Sequence, residues 1–372
     1  MKIPFIDLPA QNEAIKSELY PAVKNILARG DFILGKEMKL FENEFAKYCG
    51  TKYCVGVSSG TAALFLALKS LDIKEGDEVI VPAFTFIATA FAVTYTGATP
   101  VFVDIDQDSY CMDYRKLEKA ITKRTKAIIP VHLFGHPAEM QQIIKIAKKY
   151  NLKVIEDAAQ AHGATYNLKG LKKKVGSLGD IGCFSFYPTK NLSACGDAGA
   201  ITTNNKKIYD KLLILRDCGR VSRYEHKIIG YNSRLDTLQA AILRVKLKRL
   251  DIWNRMRRQK AKLYNGLLSG FEGIILSTEK KNVKHAYHLY VIRAKNREWI
   301  CQILKKHNIP FLFHYPIPLH LQKAYKSLGY KKGDFPVSER VTDEIISLPM
   351  HPFLRRSQIE YITKKILSSY YV

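Results

Sequence analysis

The sequence predicts an α/β fold, with a large domain on a mostly parallel central sheet and a smaller C-terminal α+β domain. Three observations carry this. From about Lys52, short β-rich runs alternate with helical patterns. The β-rich runs are apolar along their whole length, as in strands covered on both faces. After about residue 205 the alternation stops, and a long helical stretch and a mixed remainder follow. Strand–helix–strand repetition builds parallel sheets, and ligands collect at the carboxyl ends of their strands. The expected division is 1–240 for the large domain with its N-terminal arm and 241–372 for the small one.

YCVGV (53–57) reads as the first strand, TAALFLALKSL as a helix and EVIVPAF as the second strand. FIATAFAVTYTG, PVFVDI (100–105), MDYRKLEKAI, KAIIPVHLF (126–134), EMQQIIKIAKKYN and KVIEDAA (153–159) continue the alternation of helix and strand. The carboxyl-end rule points to the residues after Val57, around Phe84 and around Asp157. LKGLKKKVG (168–176) reads as an exposed basic loop. Residues 234–268 read as one long helical stretch, apolar at helical spacing with a basic opposite face. YHLYVIRA reads as a strand of the C-terminal part.

Hydrophobic residues make up 47 % and charged residues 25 % of the 372, which excludes a disordered or fibrous chain. The 59 Lys and Arg against 34 Asp and Glu give a net charge of +25, which raises nucleic acid or an anionic ligand as a partner. No helix-turn-helix, zinc-finger or RNA-binding signature accompanies the charge, so no nucleic-acid partner is expected. The seven cysteines are odd in number, scattered and without a CxxC pair, which fits free thiols in a reducing compartment. The N-terminus lacks the apolar core of a secretory signal. No apolar run approaches the ~20 residues of a membrane helix. A cytoplasmic protein without a membrane partner is expected.

Metal sites are not expected either. In DIDQD (104–108), Ser109 stands where a calcium loop needs Gly, and Arg115 where it needs Glu. His132 and His136 are interrupted by Gly135 and Pro137, which makes a shared helix face for zinc improbable.

Four segments carry chemistry. SSGTAAL (58–64) follows a strand and opens a helix; Gly60 allows a tight turn, and the N–H groups of Thr61 and Ala62 would face outward as a phosphate cradle. Such residues more often form a plain helix cap. VIEDAAQAHGA (154–164) places Asp157 at the end of a buried strand, where a carboxylate needs a partner, with Gln160 and His162 close by as further hydrogen-bonding groups. GCFSFYPTKNLSACGDAGAITT (182–203) holds Ser185, then the single Lys190 and a glycine-bearing loop. A lysine there is either a surface turn residue or an amine made nucleophilic by partial burial. VPAFTFIATA (81–90) brings Phe84 and Phe86 to a strand end, as core or as ring-stacking groups. A phosphate cradle, an aromatic, a strand-end Asp and a later Lys are together the parts that hold pyridoxal 5′-phosphate.

With these motifs in order, the chain resembles the DegT/DnrJ/StrS family of nucleotide-sugar aminotransferases. The resemblance runs from IPFIDL (3–8) and FILGKEMKLFENEFAKYCGTKYCVGVSSGTAAL through VPAFTFIATA, GATPVFVDID, TKAIIPVHLFG, VIEDAAQAHGA, SFYPTKNL and GYNSRLDTLQAAIL to FHYPIPLH and SLPMHPFL. It implies the type I aminotransferase fold and a set of roles. Lys190 would carry the cofactor covalently and move the proton; Asp157 would pair with the pyridine nitrogen. Gln160 would hold the phenolic oxygen, and Phe86 would stack on the ring. Gly60, Thr61, Ala62 and Ser185 would hold the phosphate. Asn232 would reach the cofactor phosphate of the neighbouring subunit, making a homodimer with shared sites. Arg234, His314 and Tyr315 match positions that line the sugar-nucleotide pocket.

One departure stands out. SFYPTKNL is followed by SACGDAGA, with Ser193 and Ala198 where the family commonly has glycine. The resemblance favours the 3-aminotransferase branch, acting with glutamate on a dTDP-3-keto-6-deoxyhexose. A UDP-2-acetamido-3-ketohexuronic acid and a 4-keto sugar are the alternatives, and an idle regulator is the reading outside catalysis.

Overall fold

The computed structural model describes residues 2–368. Its strands in chain order are β1 (Tyr53–Val57), β2 (Glu78–Pro82), β3 (Thr99–Val103), β4 (Thr125–Ile128), β5 (Lys153–Asp157), β6 (Thr165–Leu168) and β7 (Leu171–Lys174). They continue with β8 (Ile181–Ser185), β9 (Gly199–Thr203), β10 (Ile274–Leu276), β11 (Val283–Lys284), β12 (Tyr290–Ala294) and β13 (Ile345–Leu348). Seven of them form the central sheet in the order β1-β9-β8-β5-β4-β2-β3. The pairs from β8 through β5, β4 and β2 to β3 are parallel, and only β9 runs antiparallel to its neighbours.

The apolar runs are explained by burial on both faces. Val79 and Val81 face one core with Val55, Val57, Leu64, Leu68, Ile155 and Ile201, while Ile80 faces another with Val103, Ile128, Val154, Met140 and Ile143. Each such side chain taken from water contributes about 1.5–3 kcal/mol. The amphipathic helix Met140–Lys149 covers the second face through Met140, Ile143 and Ala147.

β10, β12 and β13 form a separate antiparallel sheet, drawn from residues after Gly273. Helices Arg297–Lys306 and Arg356–Ser368 pack on it through Ile300, Leu304, Ile359 and Ile362. Leu289, Val291 and Ile345 reach back into the core of the central sheet. Position 240 lies inside helix Thr237–Leu247.

Three local readings change. The stretch 234–268 is two helices, Thr237–Leu247 and Leu250–Leu268. A tight turn closes between them, with the Arg249 N–H on the Lys246 carbonyl at 2.9 Å, and no Gly or Pro marks it. The basic stretch 168–176 is a hairpin rather than a loop: β6 and β7 pair antiparallel across Lys169 and Gly170. Both turn residues have positive φ (51° and 83°), as a two-residue hairpin turn requires. The run 126–134 keeps strand form only to Ile128, and Leu133–Gly135 make a 3-10 turn.

Candidate active site

The carboxyl ends of β1, β5 and β8 converge on a cavity of about 370 Å³ whose walls include Gly60, Phe86, Asp157, Gln160, Ser185 and Lys190. Thr61, His314 and Tyr315 line it as well.

Asp157 ends β5 and is buried. Its Oδ2 accepts from Thr89 Oγ1 at 2.8 Å and its Oδ1 from the Ala159 N–H at 3.1 Å. Burial raises its pKa, against the pull of Thr89, Ala159 and Lys190 toward the charged form. A carboxylate in this position gains from a cation placed in the cavity. Lys190 follows a turn closed by its own N–H on the Tyr187 carbonyl at 2.8 Å. Its side chain keeps some exposure along the cavity, but the amine sits deep among protein atoms. That desolvation pushes it down to about 8, opposed by Asp157.

Helix Gly60–Ser70 is capped by Ser59, whose Oγ accepts from the Ala62 N–H at 3.1 Å. The cap therefore uses Ala62, and the N–H groups left without a helix partner are those of Gly60 and Thr61. Gly60 is needed for close approach rather than for a turn: a Cβ there would lie 2.5 Å from the Ser185 Cβ. Ser185 Oγ accepts from the Tyr187 N–H at 3.3 Å.

Phe86 is 54 % exposed at the cavity, its ring 5.9 Å from that of Tyr315. Phe84, by contrast, is buried against Tyr315 and Phe134. Gln160 is fixed at both ends: Oε1 accepts from the Phe134 N–H at 2.7 Å, and Nε2 donates to Tyr315 Oη at 2.8 Å. Its second amide hydrogen is left for a ligand. His314 bonds Ser347 Oγ through Nδ1 at 2.8 Å, and burial followed by the Lys190 charge pushes it down to about 4.

Not every expected residue joins this cavity. Asn232 and Arg234 line a neighbouring one, with Ser58, Asp236 and Gln239, and Asp197 borders both. Arg234 Nη1 bonds Asp217 Oδ1 at 3.0 Å. The His162 ring nitrogens are unpaired, and its ring packs on Phe184 and Phe186. Ser193 and Ala198 are buried without positive φ, so the loop accepts them where glycine is common. Thr89 and His288 are site residues that the sequence did not single out; nothing in FIATA or KHAYHLY separates them from core residues.

Pyridoxal 5′-phosphate fits these groups: a buried carboxylate that calls for a cation, an amine of lowered basicity, an amide hydrogen to spare, an exposed ring at the mouth, and open N–H groups at a helix start beside a serine. Among the described residues, no group of three or more His, Cys, Asp or Glu could hold a metal.

The model of the DegT/DnrJ/EryC1/StrS aminotransferase family matches residues 13–367. A dTDP-3-amino-3,6-dideoxy-alpha-D-galactopyranose transaminase of Aneurinibacillus thermoaerophilus is 48 % identical over 98 % of each chain. A UDP-2-acetamido-2-deoxy-3-oxo-D-glucuronate aminotransferase of Pseudomonas aeruginosa is 42 % identical, covering 97 % of this chain and 98 % of its own. A pleiotropic regulatory protein of Geobacillus stearothermophilus is 44 % identical over 100 % of this chain and 99 % of its own. The solved structure of S. venezuelae DesV with a ketimine intermediate superposes with a TM-score of 0.96 at 42 % identity, over 99 % of this chain and 98 % of that one. The fold is therefore that of the type I pyridoxal-phosphate aminotransferases, and the chain belongs to the DegT/DnrJ/EryC1/StrS aminotransferase family.

Proposed function

We propose that this aminotransferase moves an amino group from glutamate to C3 of a keto nucleotide sugar, a dTDP-3-keto-6-deoxyhexose in the first instance. The observation that carries the reading is the meeting of the Lys190 amine and the Asp157 carboxylate in one cavity. When bound, pyridoxal 5′-phosphate supplies the electron sink that stabilises charge at the carbon gaining or losing the amine.

The chain's own residues do the rest. Lys190 anchors the cofactor and holds or releases a proton at Nζ. Asp157 keeps the ring nitrogen charged, and Thr89 keeps Asp157 ionised. Gln160 steadies the phenolic oxygen, Phe86 covers the ring, and Gly60, Thr61 and Ser185 bind the phosphate, while the Ala62 N–H stays with the Ser59 cap. His314 and Tyr315 meet the substrate.

Asn232 and Arg234 lie outside the cavity of their own chain, which supports a homodimer in which they serve the neighbouring subunit's site. C3 is favoured because the sugar-converting relatives above carry the amine or oxo group there. The second of them keeps a UDP-hexuronic acid as the alternative substrate, ahead of a 4-keto sugar. We place the enzyme in the cytoplasm, in amino-sugar synthesis for a polysaccharide or lipopolysaccharide. The relative named as a regulator raises a non-catalytic reading, against which stand the intact Lys190 and Asp157. A panel of dTDP- and UDP-linked 3-keto and 4-keto sugars, incubated with glutamate, tests the proposal. A 3-amino product supports it, and a product aminated elsewhere, or none from any sugar, overturns it.

A further inference from the structure

His288 stands in the wall of the cavity that holds Lys190. The hydrogen bonds behind it settle which ring nitrogen carries the proton. Two backbone carbonyls, which can only accept, fix the start. Asn254 Nδ2 donates to the His162 carbonyl at 2.8 Å, so the Asn254 amide is oriented with Oδ1 on its other side. That oxygen lies 2.9 Å from Asn191 Nδ2, which also donates to the Ala286 carbonyl at 3.0 Å. The Asn191 amide is thereby oriented too, and its Oδ1 faces His288 Nδ1 at 3.3 Å. An oxygen there requires the proton on Nδ1, which leaves Nε2 as the bare acceptor of the neutral ring.

The rest of His288 is tied down. Its N–H donates to the Phe134 carbonyl, and its carbonyl accepts from Arg257 Nη1. Nε2 has no hydrogen-bond partner among the described residues and is not among the sealed, unpaired atoms, so the cavity is what it faces. Burial, then the charges of Lys190 and Arg257, and His314 and His162 beside them, hold the imidazole well below its usual range. The ring therefore stays neutral and accepts a hydrogen bond rather than a proton.

We propose that His288 is a positioning residue for Lys190: its Nε2, kept bare by Asn191, accepts a hydrogen bond from the Lys190 amine once the amino form of the cofactor has released it into the cavity. Asn191 follows Lys190 directly in the chain, so the turn that aims the amine also carries the group that sets the tautomer. A neutral acceptor favours the ammonium form of lysine, so His288 partly offsets the loss of basicity that burial imposes.

The proposal rests on Lys190 as the covalent anchor, and its test is chosen to be independent of the sugar. The full chain is loaded with pyridoxamine 5′-phosphate, which leaves the Lys190 amine free, and is labelled with 15N-histidine and 13C-lysine for NMR. His288 should show the Nδ1–H tautomer from about pH 6 to about pH 9. Its Nε2 resonance should move as Lys190 titrates near about 8, and that movement should vanish in Lys190→Met. His288→Leu should lower the Lys190 midpoint by about one pH unit, and His288→Gln, which can still offer an acceptor, should restore it. Asn191→Leu should release the tautomer into a mixture. An Nε2–H tautomer, an Nε2 resonance indifferent to Lys190→Met, or equal midpoints in the Leu and Gln variants would each overturn it. Absence of amination with every sugar would leave these spectra unchanged and would count only against the proposed substrate.

Discussion

Gln160 Nε2 donates to Tyr315 Oη at 2.8 Å, joining the end of the central sheet to a loop 155 residues further along the chain. The amide cannot turn round, because its other end holds the Phe134 N–H at 2.7 Å. Gln160→Leu strands that buried N–H and removes the donor to Tyr315. A loss of about 2–3 kcal/mol in unfolding free energy is expected, whereas Tyr315→Phe, which deletes only an acceptor, should lose about 1 kcal/mol. Chemical denaturation of the two variants side by side checks the order, and equal losses would contradict it.

The Lys190 amine at about 8 sets a pH rule for cofactor uptake. Its folded pKa lies below the usual 10.5, so the free amine appears as pH rises through about 8 rather than through 10.5. At pH 7 about a tenth of the amines are free. The rate at which cofactor-free enzyme captures pyridoxal 5′-phosphate should climb about tenfold per pH unit below 8 and level off above it. Stopped-flow absorbance gives this profile; a plateau reached only above pH 10 would mean an unperturbed lysine. Lys190→Ala should show no borohydride-trappable absorbance at any pH.

Asp157→Asn should cost about 10²-fold or more in turnover, since the ring nitrogen loses its anion. Thr89→Val should cost about fivefold, for one hydrogen bond of about 1 kcal/mol. Its loss should deepen toward acid. Asp157 already titrates above its ordinary range, and removing Thr89 raises it further, so the carboxylate is protonated at a higher pH. The acid limb of the kcat profile should therefore move upward in Thr89→Val, and a parallel, unshifted profile would count against Thr89 acting through Asp157.

Gly60→Ala pushes a methyl group to 2.5 Å from the Ser185 Cβ, with both residues fixed by their strand and helix. Overpacking of this kind costs about 1–3 kcal/mol. Because it displaces the open N–H groups and the serine together, affinity for pyridoxal 5′-phosphate should fall about tenfold or more, which equilibrium dialysis measures.

Mixing Lys190→Ala with Asn232→Ala subunits should restore activity that neither variant has alone. In a shared-site dimer one of the two sites in a mixed pair contains both native residues. Activity that stays at the sum of the parents would place Asn232 in its own subunit's chemistry.

How much of this was legible varies with the physics of each residue. Buried parallel strands announce themselves by unbroken apolar runs, so β1, β2 and β5 and the three places where their ends hold ligand groups could be read directly. Asp157 was legible because a charged residue at a buried strand end is costly and needs a reason, whereas Lys190, in the turn beyond β8, stood out only in combination with the other segments. Thr89 was not: a threonine inside an apolar helix looks like core until the carboxylate beside it is seen. The Ala62 assignment shifted because Ser59 competes for the same N–H, and the two neighbouring serines do not say which of them caps. The break at Lys248–Arg249 left no trace because no helix-breaking residue makes it. The basic hairpin could have been found from the Lys-Gly pair between two short β-prone runs, a signal outweighed by its lysines.

The attachment of the His314–Tyr315 loop bears on when the site can come into being during synthesis. Leu312 and Ser347 exchange both backbone hydrogen bonds, at 3.2 and 2.8 Å, and Ser347 Oγ then grips His314. A nascent chain that has emerged from the ribosome only as far as β9 has all seven strands of the central sheet and the Lys190 amine, but no Tyr315 for Gln160. The cavity gains its last wall only when β13 has left the exit tunnel, so a full grip on the cofactor waits for a segment made long after Lys190.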